Sequence, residues 1–494
     1  EFGNSVDKTI DLAADLVDYL NTDKHTAEEL REELKELRKR YQKVQAMGLH
    51  LDMSRGKPCQ EQLDLSMGMM DVLDSSSDLT CEDGTDCRNY GQLTGIEEAR
   101  ELLGDMMENN PKDIILYGNS SLNVMFDSIS RSWSHGVMGN TPWCKLPEVK
   151  FLCPVPGYDR HFAITEYFGI EMINVPLLKT GPDMDMVEEL VSKDPQIKGI
   201  WCVPKYSNPT GISYSDETVL RFAHLKPAAP DFRIFWDNAY SIHHLYEDDQ
   251  DVILELLTEC EKAGNPDLVY KFISTSKVSF PGSGIAAMAA SPANLEDARK
   301  AMFYQTIGHD KLNQLRHARF FKNLDGMHEH MKKHAAILRP KFEAVLDTLD
   351  SELGGLEIGE WVRPKGGYFI AFDSLDGCAK RIVALAKEAG VIMTGAGATF
   401  PYGKDPRDRN IRMRESNGEM IPIIPIYTYE AVPTLTVAKD LYDRGVYVNS
   451  SLPPATAPTE CLLRTSLMAT HTKEQVERSV IALKKIFVEQ GIIK

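Results

Sequence analysis

A lysine amine becomes an imine-forming nucleophile only where its neighbours favour the neutral or imine form over the ammonium, whose ordinary pKa is about 10.4. Lys277 stands in Ser274-Thr275-Ser276-Lys277, directly after an apolar run and before the turn Phe280-Pro281-Gly282-Ser283-Gly284. By itself it reads as an exposed loop lysine, and what precedes it changes that reading. Asp237, in Trp236-Asp237-Asn238-Ala239-Tyr240, closes a strongly apolar run, where a carboxylate needs a cationic or hydrogen-bonding partner; a pyridinium nitrogen would supply one. Twenty-nine residues earlier, Pro204-Lys205-Tyr206-Ser207-Asn208-Pro209-Thr210-Gly211 closes another apolar run with a turn-forming Asn-Pro pair. Asn208, Asp237, Tyr240 and Lys277 thus fall at three successive predicted strand ends, in an order and spacing that chance rarely supplies.

The elements that must carry these residues follow from periodicity. From about residue 81 to 290, short apolar runs closed by Gly, Pro or Asn alternate with helical stretches, the rhythm of βαβ units and a mostly parallel sheet. Candidate strands are Asp113–Tyr117, Val149–Cys153, Gly199–Val203, Phe232–Trp236 and Val269–Ser274. Open α/β sheets bind ligands beyond the carboxyl ends of their strands, where the polar residues above lie. Two helices open the chain, one over about 7–20 and one starting at a Thr26-x-x-Glu29 capping box. In the second, Leu30, Leu34, Leu37, Tyr41 and Val44 form a seam of only two heptads, which suits docking on its own domain or a dimer partner better than a coiled coil. After about 330, a helix over Lys332–Leu349 leads into a strand-rich remainder from Tyr368–Phe372 onward. The expected division is a helical arm (1–50), the first part of a small domain (51–80), a large domain (81–330), a small α+β domain (331–418) and an additional segment (419–494). An internal echo runs through the last two: Tyr368–Arg412 and Ile421–Arg464 both read strand, helix, strand after a Gly-Val, loop, and a strand ending in Arg.

Composition sets the outer bounds. With 494 residues, 43% hydrophobic and 26% charged, the chain has a globular make-up, and no apolar run approaches the roughly 18 residues that span a membrane. Fifty-five basic against 73 acidic residues leave a charge of −18, which disfavours nucleic acid as a partner. The nine cysteines are scattered, without the Cys-x-x-Cys pairs of zinc or redox sites, so reduced cysteines and no metal are expected. No basic stretch followed by an apolar one marks a targeting segment, and a cytoplasmic location is the expectation.

Beyond single residues, the chain resembles the fold-type I pyridoxal-5′-phosphate (PLP) aminotransferases, nearest among them to a bacterial aspartate aminotransferase class. The resemblance covers about Leu37 to Arg412. It is carried by Leu51-Asp52-Met53-Ser54-Arg55-Gly56-Lys57-Pro58, Arg88-Asn89-Tyr90-Gly91, Gly118-Asn119-Ser120-Ser121-Leu122, Cys153-Pro154-Val155-Pro156-Gly157-Tyr158-Asp159-Arg160-His161 and Arg363-Pro364-Lys365-Gly366-Gly367-Tyr368-Phe369. It implies an α/β fold whose large domain holds a mostly parallel sheet of the seven-stranded type between helices, with a smaller α+β domain. It also implies PLP on Lys277 as a Schiff base, with Lys277 moving the substrate proton once freed. Asp237 would keep the pyridine nitrogen protonated, Asn208 and Tyr240 would donate to the ring's phenolate oxygen, Tyr158 would stack on the ring, and His161 would orient Asp237. Asn119, Ser120 and Ser121, before a helical stretch at Leu122–Trp133, together with Ser274 and Ser276, would hold the phosphate. Tyr90 would reach that phosphate from the other subunit of a homodimer. Arg412 would grip the substrate α-carboxylate, with Gly56 and Asn208 beside the substrate. Arg55, Arg160, Arg316 and Arg319 are candidates for a second carboxylate. One departure stands out: the arginine that usually follows the lysine by seven or eight residues is missing.

From Ile421 onward the text resembles instead the C-terminal end of the α-oxoamine synthases, which condense an acyl-CoA with an amino acid. Tyr447-Val448-Asn449-Ser450-Ser451-Leu452-Pro453-Pro454-Ala455-Thr456, Leu463-Arg464-Thr465-Ser466 and Ala469-Thr470-His471-Thr472 carry this likeness. In that group the residue matching Arg464 binds a substrate carboxylate, so Arg464 rivals Arg412. Two functions follow: amino transfer between aspartate or a similar acidic amino acid and 2-oxoglutarate by a ping-pong route, or condensation of an amino acid with an acyl-CoA. Tyr158, where the synthases carry histidine, favours transfer.

Overall fold

A computed structural model describes residues 27–54, 56–413, 423–452, 461–466 and 473–490. The expected helix over 7–20, the Thr26 cap, Arg55 and the segment 453–460 lie outside the described residues. The first helix, Ala27–Ala46, carries Glu28 and Glu29 in its first turn and Lys43 in its last, both favourable to its dipole. Tyr41 anchors it by donating to the carbonyl of Leu385 at 2.8 Å, while Leu37 and Val44 of the seam stay exposed. The chain continues into a short strand, β1 (Leu51–Met53).

The large sheet has strands β2 (Ile114–Leu116), β3 (Lys150–Val155), β4 (Glu171–Leu178), β5 (Gly181–Pro182), β6 (Ile197–Cys202), β7 (Arg233–Asp237), β8 (Val269–Ser274) and β9 (Ala286–Ala290), in the order β2-β9-β8-β7-β6-β3-β4-β5. Eight strands rather than seven are present, because a two-residue strand, β5, folds back antiparallel on β4. The core β4-β3-β6-β7-β8 is parallel throughout, and β9 is the antiparallel member between β8 and β2. Strands β6 to β9 are buried on both faces, as apolar runs between two layers of helices must be. Two lysines in these runs are neutralised inside: Lys198 by Asp231 at 2.7 Å and Lys271 by Glu255 at 2.8 Å. Because β2, β3, β6, β7 and β8 all run the same way, their carboxyl ends open on one edge.

A 30-residue helix, Leu324–Leu353, longer at both ends than periodicity suggested, leads to strands β10 (Gly359–Trp361), β11 (Ile370–Ser374), β12 (Val391–Met393) and β13 (Asn410–Met413). β10, β11 and β13 form an antiparallel sheet, and β12 pairs in parallel with β1. That pairing depends on Gly390: Leu51 donates its N–H to the Gly390 carbonyl, and a Cβ on Gly390 would stand 1.8 Å from the Leu49 carbonyl oxygen.

Chain contacts separate two compact units, Glu1–Asn417 and Gly418–Lys494. The second holds β14 (Ile423–Tyr429), a helix Ala431–Asp443, β15 (Asn449–Ser451), β16 (Cys461–Ser466) and a helix Lys473–Glu489, around a core of Val437, Leu441, Leu463 and Ile486. Its sheet is antiparallel in the order β14-β16-β15. The echo seen in the sequence recurs in the backbone. Arg412 on β13 lies across from Ala371 on β11, and Arg464 on β16 lies across from Pro425 on β14. The third strand differs, since β15 pairs with β16 whereas β12 pairs with β1. Among the described residues no helix is long and apolar enough to cross a membrane.

Candidate active site

All five carboxyl-end segments meet at a cleft of about 260 Å³, lined by Tyr158 after β3, Asn208 after β6, Asp237 and Tyr240 from the end of β7, and Lys277 after β8. Ser120 and Ser121, from the turn after β2, line it as well, as do Ser274, Ser276, Gly56 and Lys57.

Asp237 is the last residue of β7 and is only 3% exposed. Its Oδ2 lies 3.1 Å from Nε2 of His161, a ring held by stacking on Trp201 at a centroid distance of 4.5 Å. Its Oδ1 is buried with no partner among the described residues. An ionised oxygen in that condition costs about 1–3 kcal/mol or more, so the site asks for a donor, best a cationic one. Nζ of Lys277 sits 4.9 Å from the centroid of the Tyr240 ring. Tyr240 is buried beside the Asn208 amide; burial, reinforced by the Asp237 charge, pushes its phenol well above the ordinary value, so it stays a neutral donor. Tyr158 is likewise pushed up to about 12 by burial, an effect that Lys277 partly offsets.

At the other end of the cleft the helix Ser121–His135 presents its N-terminus. Ser120 is its N-cap but makes no capping hydrogen bond with its own side chain; the Asn123 N–H donates to the Ser120 carbonyl at 3.1 Å, and the N–H groups of Ser121 and Leu122 keep their donors for an anion. Asn119 is not among the residues lining the cleft: its Nδ2 donates to the Pro281 carbonyl at 3.3 Å and its own carbonyl accepts from Ser276 Oγ at 2.8 Å. It therefore ties the loop after Lys277 to the turn before the helix. No arginine follows Lys277, but Arg316 arrives from the helix Lys311–Phe321 and donates to Ser283 Oγ at 2.6 Å. Arg316 thus braces the turn after Lys277 and does not line the cleft.

Arg412 comes from β13 and is 7% exposed. Its Nη1 donates to Asn208 Oδ1 at 3.2 Å and to Asp159 Oδ1 at 2.7 Å, its Nε donates to Thr394 Oγ1 at 3.3 Å, and its guanidinium carbon lies 5.2 Å from the centroid of Phe369. Gly56 is required where it stands, because a Cβ there would be 2.6 Å from Cζ of that same Phe369. Asp159, Thr394 and Phe369 escaped the sequence reading. Asp159 opens the helix Asp159–Tyr167, where an acidic residue is the ordinary choice on dipole grounds, which hid its second relation to Arg412.

The remaining expected residues of the first unit are not gathered here. Tyr90 is 80% exposed and does not line the cleft. Arg319 donates to the carbonyls of Asp78 and Thr80, and Arg160 is exposed. Arg464 belongs to the second unit, and its side chain lies outside the described residues. No cluster of His, Cys, Asp and Glu suited to a metal occurs among the described residues.

A planar cationic heteroaromatic ring carrying an anionic tail would satisfy the orphaned Asp237 oxygen, the neutral donors Asn208 and Tyr240, and the helix N-terminus together; PLP is such a group. Residues 25–431 match the family model described as "Aspartate amino-transferase". The chain is 44% identical over 385 residues to an aspartate aminotransferase of Corynebacterium glutamicum, covering 77% of this chain and 88% of that protein. The crystal structure of an aspartate transaminase from Corynebacterium glutamicum superposes with a TM-score of 0.77 at 43% identity, covering 79% of this chain and 92% of that one. A separate 80-residue similarity, 45% identical, is with a serine palmitoyltransferase of Bacteroides ovatus and covers 15% of this chain and 20% of that protein. The fold and the cleft define a fold-type I, PLP-dependent transferase. Within that class, the chain belongs to the aspartate aminotransferase family and is an aminotransferase.

Proposed function

We propose that this chain transfers the amino group of aspartate, or of a similar acidic amino acid, to 2-oxoglutarate in two alternating half-reactions at a single site. The observation that carries the reading is the meeting of Arg412 with Asn208 at the cleft that holds Lys277, which sets a carboxylate-binding fork beside an amine-handling lysine. The aspartate aminotransferase name of a relative at 44% identity supports the choice of an acidic substrate.

PLP bound here supplies an electron sink for the pair released at the substrate Cα. Lys277 would hold the cofactor, and its amine would move a proton at that carbon. Asp237, kept in place by His161, would pair with the ring nitrogen. Tyr240 and Asn208 would donate to the ring's phenolic oxygen. Tyr158 would cover the ring face and exclude water from it. Ser120, Ser121, Ser274, Ser276 and the helix N-terminus would receive the phosphate, and Asn119 positions their loop. Gly56 leaves room beside Phe369 for the substrate, and Arg412 receives its α-carboxylate. Tyr90 completes the phosphate site of a partner subunit in a homodimer, which accounts for its exposure in the single chain. The working body is the large domain 81–330 with the small-domain parts 51–80 and 331–418, preceded by the arm 1–50, in a cytoplasmic enzyme. Segment 419–494 is an additional copy of the small-domain unit, and Arg464 is the rival to Arg412 that it carries.

The test is a half-reaction. The PLP-loaded protein given aspartate without an acceptor loses the visible absorption of its lysine-bound cofactor and yields one oxaloacetate per site; 2-oxoglutarate restores the band. Lys277→Ala shows neither change. A protein that ignores aspartate and turns over only with an acyl-CoA would make it a condensing enzyme instead.

A further inference from the structure

The guanidinium of Arg412 has five N–H donors, and three are already engaged: Nε with Thr394, and both hydrogens of Nη1, one with Asn208 and one with Asp159. The two hydrogens of Nη2 have no partner among the described residues. A carboxylate gripped in the bidentate manner needs either Nη1 with Nη2 or Nε with Nη2. Each of these faces is half taken. The substrate can complete its grip only by displacing one present partner.

We propose that Asp159 is that partner: a built-in carboxylate that occupies the seat of the substrate's α-carboxylate while the site is empty and swings out when substrate arrives. The inference rests on Arg412 being the carboxylate-binding residue of the function proposed above. The three partners are not equivalent. Asn208 is buried, lines the cleft and serves the cofactor side, so it stays. Thr394 is tied to the main chain through its own hydroxyl, which donates to the Ser54 carbonyl at 2.9 Å. The Asp159 side chain is 36% exposed against 8% for Arg412, and no other side chain holds it among the described residues, so it can rotate into water and be rehydrated there. The exchange conserves charge at the guanidinium: one carboxylate leaves as another enters, and Arg412 is not left buried and unpaired in either state. Asp159 therefore acts through Arg412 as a positioning and gating residue. Its consequence is selectivity. A monocarboxylate must displace the tethered carboxylate at 2.7 Å with a single group, whereas a dicarboxylate that is held at a second point as well competes better.

The experiment measures binding of succinate, an unreactive dicarboxylate, to the PLP-loaded full chain by titration calorimetry, alongside steady-state kinetics with aspartate. Asp159→Asn keeps the size and an acceptor oxygen but removes the charge. Succinate should then bind about fivefold tighter, the equivalent of about 1 kcal/mol for a half-exposed ion pair. KM for aspartate should fall by a similar factor with no rise in kcat, and inhibition by acetate should appear. Asp159→Glu should restore the wild-type affinity, and raising salt should shrink the difference. If Asp159→Asn leaves succinate binding unchanged or weakens it, Asp159 does not gate the seat and the inference falls. If Arg412→Lys leaves succinate binding intact, or if succinate binds none of the variants, Arg412 is not the seat, and the inference falls with it. If aspartate is not a substrate but succinate still tightens on Asp159→Asn, the gate stands and only the aspartate reading fails. A cooperative melting transition in each variant shows that the change is not misfolding.

Discussion

Asp237→Asn should change the stability of the empty and cofactor-bound proteins in opposite directions. Among the described residues Oδ1 of Asp237 is buried without a partner, while Oδ2 lies 3.1 Å from Nε2 of His161. Asparagine can keep its oxygen toward His161 and place a neutral NH2 where the orphaned charged oxygen was. Relieving an unsatisfied buried charge of this kind returns about 1–2 kcal/mol, so the apoprotein should melt about 1–4 °C higher. With PLP bound, the same change replaces a charge-assisted hydrogen bond to the ring nitrogen, worth about 1.5–3 kcal/mol, and cofactor affinity should fall roughly tenfold to a hundredfold. The melting increment that PLP confers shrinks by the same free energy, because binding to the folded state alone is what produces it. The assay is a thermal scan of apo and reconstituted forms, with PLP titrated against the fluorescence of Trp201 and Trp236, which flank the site. A variant whose apoprotein melts lower than wild type, and whose PLP-induced increment is unchanged, would show that Asp237 is a structural carboxylate and refute its pairing with the cofactor.

Two further outcomes follow from packing and from buried bases. Gly56→Ala would drive a methyl to within 2.6 Å of the Phe369 ring on which Arg412 rests. Overpacking of this sort costs about 1–3 kcal/mol, and KM for aspartate should rise well beyond any change in kcat; steady-state kinetics with unchanged KM would disprove the link from Gly56 to Arg412. On pH, burial lowers His334 to about 3 and His317 to about 4, against about 6.5 unfolded. Between those values the unfolded chain binds more protons than the folded one, so stability is full above about pH 6.5 and is lost as pH falls toward 4, by up to ~1.4 kcal/mol per pH unit for each histidine. Urea midpoints at pH 7 and pH 5 should show a smaller acid loss in His334→Gln than in wild type, and an equal loss would exclude His334 as a contributor.

How much could be read before folding is best judged from particular residues. The ends of β3, β6, β7 and β8, and the polar residues just beyond them, were legible because a strand buried on both faces is a continuous apolar run, and its end is visible as the point where polarity returns. Strand β8 was placed to the residue for that reason. The two-residue β5 and the extra turns of the helix Leu324–Leu353 carry no such contrast and were missed or shortened. Lys277, Asp237, Asn208 and Tyr240 could be named because strand order in a parallel sheet turns sequence order into proximity at one edge.

Asn208 and Gly56 could be placed beside the substrate with Arg412, but three of the groups around Arg412 could not be named. Asp159, Thr394 and Phe369 approach it from three separate segments, and each has an ordinary local role that accounts for its identity: a helix start, a strand end and a core aromatic. The missing arginine after Lys277 shows the same division. Its absence was plain in the sequence, but that Arg316 braces the same turn from a helix further along the chain was decided only by packing. The chain by itself determines which chemistry its strand ends can support, since local polarity and spacing encode it. Which charges face one another across the cleft is set by contacts between segments far apart in sequence, and those exist only once the core has brought the segments together.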